Sequence, residues 1–162
     1  MKKILIIGEK FHGKTTFAGF LKKALGEAES FSTSSYLVFR LSLLKGVEVS
    51  EILRRKDEFR RELAELGDRL CGVDAGCLVA ISLLACRSPV GIIDGIRRIS
   101  EFEAVKDWFD DILWIRRPLL SDQNDNLELS ESNAHEVIEN IGSLDELRTK
   151  AERYAEKIRN HT

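Results

Sequence analysis

Ile4-Leu5-Ile6-Ile7-Gly8-Glu9-Lys10-Phe11-His12-Gly13-Lys14-Thr15 decides the fold. Four consecutive apolar residues predict a buried strand, and the eight that follow fit the pattern G-x-x-x-x-G-K-[ST]. A strand ending at Ile7, followed by glycines at both ends of a short loop, lets the backbone fold into a nest whose N–H groups point inward at phosphate oxygens. Lys14 adds a mobile positive charge and Thr15 a hydroxyl suited to Mg2+. A helix opening at Lys14 aims the positive end of its dipole at the same anion. Composition alone would place this pattern in a chain of this size on the order of once in 200. The amphipathic stretch from Thr16 to Leu25 narrows the odds further.

The 162 residues, 43% of them apolar, suit one domain with a sizeable core. A net charge of -2, from 25 basic and 27 acidic residues, gives no bulk electrostatic reason to expect nucleic acid or an anionic membrane as partner. Phosphate affinity must therefore be local. Met1-Lys2-Lys3-Ile4 resembles the basic opening of a signal peptide, but the apolar run lasts four residues, and no stretch approaches bilayer length. Cys71, Cys77 and Cys86 are odd in number, lack C-x-x-C spacing and lie among apolar residues, as expected of reduced core thiols in a cytoplasmic protein. His12, His135 and His161 stand far apart, at positions expected to be loop or surface.

Outward from the loop, Ala28-Glu29-Ser30-Phe31 predicts a short second strand ending in the hydroxyl cluster Ser32-Thr33-Ser34-Ser35. Tyr36 to Leu44 has helical spacing, and Ser50 is placed to cap a long helix through Ile52, Phe59, Leu63, Leu66 and Leu70. Asp74 to Cys86 reads as an apolar helix. Val90-Gly91-Ile92-Ile93-Asp94 predicts a buried parallel strand that delivers a carboxylate to the sheet's carboxyl edge. Ser100 can cap a helix through Phe102, Val105 and Phe109, with a fourth strand at Asp111 to Arg116. Residues 117–135 read as a flap, Glu136-Val137-Ile138 as the last strand, and Ser143 as the cap of a final helix from Leu144 to Ile158. Strands alternating with helices imply a five-stranded parallel sheet in a three-layer α/β/α sandwich, with the ligand at the strands' carboxyl ends.

Charged residues cluster where that edge would be. Asp94 is placed to share Mg2+ with Thr15, or else to make a turn with Gly95. Arg97 and Arg98 follow it directly, and guanidinium forks match phosphate geometry. Arg54, Arg55, Lys56, Arg60 and Arg61 crowd two turns of the expected long helix, either as a solvated face paired with Asp57, Glu58 and Glu62 or with Lys56 or Arg60 over an acceptor's phosphate. Arg116 and Arg117 end the fourth strand, where a flap could carry them onto transferring phosphates. From Pro118 to Leu147 there is no Lys or Arg.

Four segments together resemble the nucleoside monophosphate kinase branch of P-loop proteins. They are Gly8 to Thr16, Thr33-Ser34-Ser35 with the Lys56 to Gly67 helix, Ile92 to Arg97, and Val137 to Leu144. The likeness is nearest to phage-type deoxynucleoside monophosphate kinases and dephospho-CoA-kinase-related nucleotide kinases, and it spans nearly the whole chain. It implies a single P-loop domain over 1–162, with an acceptor-binding helical insert at about 33–87 and the flap at about 117–135. It implies ATP or another NTP as donor, held by Gly8, Lys10, His12, Gly13, Lys14, Thr15 and Thr16, with Asn140 and Gly142 beside the base and Mg2+ on Thr15 and Asp94. Ser34, Arg54, Lys56, Arg60 and Arg97 would hold the acceptor, while Lys14, Arg97, Arg98, Arg116 and Arg117 would serve catalysis. Phe11 and His12 stand where related loops usually carry small or polar residues, and the flap is poorer in arginine than is usual.

A hydroxyl acceptor needs a base or orienting carboxylate, whereas a monophosphate needs only positioning and charge neutralisation. Ser32-Thr33-Ser34-Ser35 holds no acid where dephospho-CoA and shikimate-type kinases usually carry an Asp. The expectation is therefore phosphoryl transfer to a small-molecule (deoxy)nucleoside monophosphate by a monomer or homodimer. The alternatives are a non-catalytic ATP- or GTP-binding protein, or a kinase of another small acceptor such as dephospho-CoA.

Overall fold

The computed structural model describes residues 1–117 and 127–160. In chain order the elements are β1 (Lys2–Ile7), α1 (Lys14–Leu25), β2 (Ala28–Ser32), α2 (Thr33–Lys45), α3 (Val49–Arg54), α4 (Arg60–Cys71), α5 (Cys77–Ala85), β3 (Val90–Asp94), α6 (Ile99–Val105), β4 (Asp111–Arg116), β5 (Glu136–Glu139) and α7 (Leu144–Arg159). The strands form one sheet in the order β2-β3-β1-β4-β5, with every pairing parallel.

β1 lies at the centre, and successive side chains go to opposite faces. Ile4 and Ile6 join Phe17 and Leu21 of α1 and Leu147 and Ala151 of α7 on one face. Leu5 and Ile7 join Val79 of α5 and Phe102 and Val105 of α6 on the other. With both faces covered, the strand reads as an uninterrupted apolar run, as expected of a parallel sheet between two helical layers. The expected three-layer sandwich is what forms. The expected cap of the last helix also forms: Ser143 Oγ accepts from Glu146 N (3.2 Å) and Glu146 Oε2 from Ser143 N (2.9 Å).

Residues 33–71 build a separate, smaller core from Val38, Leu41, Ile52 and Leu63. The single helix expected from Ser50 through Leu70 is two, α3 and α4, and Ser50 lies inside α3, whose N-cap is Glu48. The turn between them is tied by ion pairs: Arg55 to Glu51 (2.7 Å) and Glu58 (2.6 Å), and Arg60 to Asp57. It swings Phe59 against the small core, with Lys45 and Arg55 over its ring. Helical spacing survives on either side of such a break, which is why periodicity overlooks it.

Other boundaries shift for identifiable reasons. α2 starts at Thr33, not Tyr36, because the hydroxyl cluster forms the N-cap and first turn, with Ser32 Oγ 3.0 Å from Ser34 Oγ. α6 is capped by Arg98 with Glu101, whose carboxylate accepts from the Arg97 and Arg98 N–H groups (3.2 and 3.4 Å), and not by Ser100. It ends at Val105, and a 3-10 turn at Lys106–Trp108 leads to Phe109. α5 begins at Cys77, because Asp74 Oδ1 accepts from Gly76 N (2.9 Å) in the preceding turn. Of the expected flap, 118–126 lies outside the described residues, while 131–133 form a 3-10 turn and Leu129 is buried against the α5–α6 face. Among the described residues, no helix is long and apolar enough to cross a membrane.

Candidate phosphate-binding site

The register of the sheet assembles the site. Asp94 ends β3 beside Ile6 of β1 and Ser32 of β2, so the loop after β1, the carboxylate and the start of α2 share one edge. Gly8 has φ 143°, and a Cβ there would lie 2.5 Å from the Ile115 carbonyl oxygen. Glycine is what lets the loop leave β1 hard against β4. Gly13, at φ 89°, is the N-cap of α1 and supplies no side-chain acceptor, so the first-turn N–H groups stay directed at the loop.

Thr15 Oγ1 donates to Asp94 Oδ2 at 3.2 Å, joining residues 79 apart in sequence. Asp94 is buried and Thr15 exposed, giving a pair of hard oxygen donors suited to a cation such as Mg2+, with one member open to solvent. Lys14 Nζ donates to the Gly8 and Glu9 carbonyl oxygens (2.7 and 2.6 Å), so its ammonium is held across the loop. Thr16 is exposed in the first turn of α1.

His12 lies in the loop, as expected, but not at the surface: it is 2% exposed and its imidazole is turned toward β4. Nδ1 lies 3.2 Å from the Ile115 carbonyl oxygen and 3.2 Å from the Arg117 N–H. One nitrogen cannot donate to the first and accept from the second in the same tautomer, so the tautomer selects which partner is served. Nε2 is buried without a hydrogen bond, 3.6 Å from the Glu9 carboxylate. Asn140, also buried, donates from Nδ2 to the His12 carbonyl oxygen (2.9 Å), and its N–H donates to the Arg116 carbonyl oxygen (2.7 Å). A Cβ on Gly13 would meet that amide at 2.6 Å. The Asn140 side chain thus fastens the phosphate loop to the ends of β4 and β5. Gly142 lies at the start of the α7 cap, where a Cβ would collide with the Glu146 carboxylate.

The expected acceptor residues divide. Lys56 Nζ donates to Ser34 Oγ at 3.2 Å, bringing the turn after α3 onto the first turn of α2. Arg54 is exposed on α3 beside Glu48 and Glu51. Arg60 pairs with Asp57 and Arg98 with Asp68. Arg97 contributes backbone: its N–H donates to Glu101 and its carbonyl accepts from Glu128 (2.9 Å). Arg116 is held by Glu139 and by Glu131 (3.1 Å), and these carboxylates raise its pKa above the ordinary guanidinium value. Arg117 follows β4 with its N–H at His12.

Asp122 and Asp125, within the expected flap, lie outside the described residues. The three cysteines are unpaired and half-buried; desolvation first, and then Glu101, pushes the Cys71 thiol up to about 12. Among the described residues, no three or more His, Cys, Asp or Glu side chains are grouped to hold a metal ion. The roles of His12 and Asn140 as internal fasteners were missed by sequence reasoning, since burial of a loop imidazole depends on a strand 103 residues away.

No family model and no curated protein sequence matches the chain. Among solved structures, it is similar to a shikimate kinase from Acinetobacter baumannii in complex with shikimate, at 17% identity over 100% of this chain and 95% of that one, with a TM-score of 0.58. It is also similar to TT1252 from Thermus thermophilus, at 18% identity over 96% and 97% of the two chains, with a TM-score of 0.53. At these identities the likeness is one of fold alone: a five-stranded parallel sheet between helical layers.

Proposed function

We propose that this protein transfers a phosphoryl group from ATP to a (deoxy)nucleoside monophosphate, giving the diphosphate. The observation that carries the reading is the Thr15–Asp94 pair beside the open amino end of α1, with the Lys14 ammonium held across the same loop. Thr15 and Asp94 fit Mg2+, which when bound neutralises charge on the donor phosphates. Lys14 exchanges its two carbonyl partners for donor phosphate oxygens, and the first-turn N–H groups of α1 orient them. Ser34 and Lys56 supply a hydroxyl and a cation on the acceptor side, with no carboxylate in residues 32–35 to serve as base for a hydroxyl acceptor. A phosphate acceptor suits that chemistry.

A second reading, nucleotide binding without turnover, is favoured by one observation: Arg60, Arg98 and Arg116 are each engaged by carboxylates of the chain. An ATP-consumption assay across a panel of nucleoside monophosphates separates the two. The kinase reading predicts transfer to at least one monophosphate and its loss by a factor on the order of 10² or more in Lys14→Ala, with the fold retained. ATP binding with no transfer to any monophosphate would select the second reading.

A further inference from the structure

The buried ring of His12 takes no part in the phosphate chemistry proposed above, and its carbonyl is already tied by Asn140 (2.9 Å), so the loop's attachment beyond β5 does not need an imidazole. Burying a polar ring costs free energy unless its nitrogens are served, and the three groups around it account for its presence. Nδ1 lies 3.2 Å from both the Ile115 carbonyl oxygen and the Arg117 N–H at the end of β4, and Nε2 lies 3.6 Å from the Glu9 carboxylate. The three forms of the ring serve these groups differently. With a proton on Nε2 alone, Nδ1 accepts from the Arg117 N–H and the Nε2–H faces Glu9. With a proton on Nδ1 alone, the Arg117 N–H is left unserved and an Nε2 lone pair faces a carboxylate, which repels it. With both protons, Nδ1 donates to Ile115, Nε2 to Glu9, and no lone pair remains for Arg117.

We infer that His12 is a positioning residue whose protonation decides how the phosphate loop is fastened to β4. The neutral ring, protonated on Nε2, holds the Arg117 N–H. One proton from solvent, added at Nδ1, moves that nitrogen's bond to the Ile115 carbonyl, draws Glu9 onto Nε2 and frees the Arg117 N–H. The charged groups around the ring are Glu9, Lys10 and Lys14 of the loop and the start of α1, Arg116 and Arg117 at the end of β4, Glu139 at the end of β5, and Glu146 in the α7 cap. Lys14 is held by the Gly8 and Glu9 carbonyls, Lys10 lies over the Phe11 ring, Arg116 is engaged by Glu131 and Glu139, and Glu146 accepts from Ser143. Glu9, against Nε2, supplies the counter-charge for the imidazolium. The inference needs only the loop and β4 and stands whether or not phosphoryl transfer occurs.

The test is an NMR titration of the 15N-labelled wild type from pH 8 to pH 5, the range in which imidazole ordinarily changes charge, following both ring nitrogens of His12 and the amide of Arg117. The ring should pass from the Nε2–H tautomer to the imidazolium, and the Arg117 amide resonance should move with it along one curve. Protection of that amide, corrected for the pH dependence of exchange itself, should fall about tenfold over the same curve, as expected for one lost hydrogen bond. Glu9→Gln, which keeps the side chain's size and removes the counter-charge, should move both curves to lower pH together. An Arg117 amide that does not respond while the ring titrates overturns the inference, and so does a ring that carries its proton on Nδ1 at pH 8 or stays neutral at pH 5. Identical curves in Glu9→Gln and the wild type overturn the part assigned to Glu9.

Discussion

The central sheet and the helices at 33–71 meet at the same edge, yet they are held in different ways. Around the phosphate loop, β1, β3 and β4 contribute Ile4 to Ile7, Ile92, Ile93, Leu113 and Ile115 with no exposure, clamped between two helical layers. The helices at 33–71 enclose four buried apolar residues and leave Phe39, Leu43, Leu44 and Leu53 half or more exposed. Their mutual placement leans on ion pairs near the surface, which individually contribute little. The loop after β1 is thus held in a rigid cradle, while the helices at 33–71 have a small core and room to adjust. Local opening free energies follow buried apolar contact, so the second region should open well below the global limit.

Two core truncations put the largest effects on this contrast. Leu113→Ala, inside the sheet, should cost about 4–5 kcal/mol and lower protection of sheet amides throughout, because the close-packed surroundings cannot collapse into the cavity. Ile52→Ala should cost about 2–3 kcal/mol, since its neighbours can relax, and should speed hydrogen exchange mainly in 33–71. Equal acceleration of exchange in the sheet by Ile52→Ala would show that the two regions unfold as one unit.

The same contrast explains what the sequence made legible. A strand buried on both faces leaves an unbroken run such as Ile4 to Ile7, and the loop after it needs two glycines, so both the fold and the place of that loop could be read locally. The pairing of Thr15 with Asp94 followed from knowing which strand ends lie side by side. The break between α3 and α4 did not follow, because Phe59 keeps the helical spacing while a turn of exposed ion pairs redirects the chain. Which arginines are engaged depended on carboxylates such as Asp68 and Glu131, placed only by the tertiary fold. The left-handed backbone at Phe11 has no sequence signal at all, since phenylalanine does not favour it.

A smaller effect is expected where β2 joins the sheet. Glu29 accepts from the Arg87 and Ser88 N–H groups (2.5 and 3.1 Å), and these bonds hold its carboxyl below the ordinary value of 4.5. A depressed folded value means that this contribution is fully present above pH 4.5 and lost as the pH falls through the lower, folded value. Glu29→Gln should therefore melt slightly below the wild type at neutral pH, with the difference closing below pH 4.5 in thermal melts. A gap that stays constant down to pH 3 would assign the effect to packing at β2 instead of ionisation.

The claim on which the account turns is that the β1 loop and Asp94 form one metal-assisted phosphate site, and ATP affinity measured with Mg2+ and with EDTA tests it most directly. Wild type should bind ATP more tightly with Mg2+. Asp94→Asn, which keeps an acceptor for Thr15 but removes the charge, should retain the affinity seen in EDTA and lose most of the gain from Mg2+. Equal weakening of Asp94→Asn in Mg2+ and in EDTA would contradict the account and leave Asp94 a structural partner of Thr15.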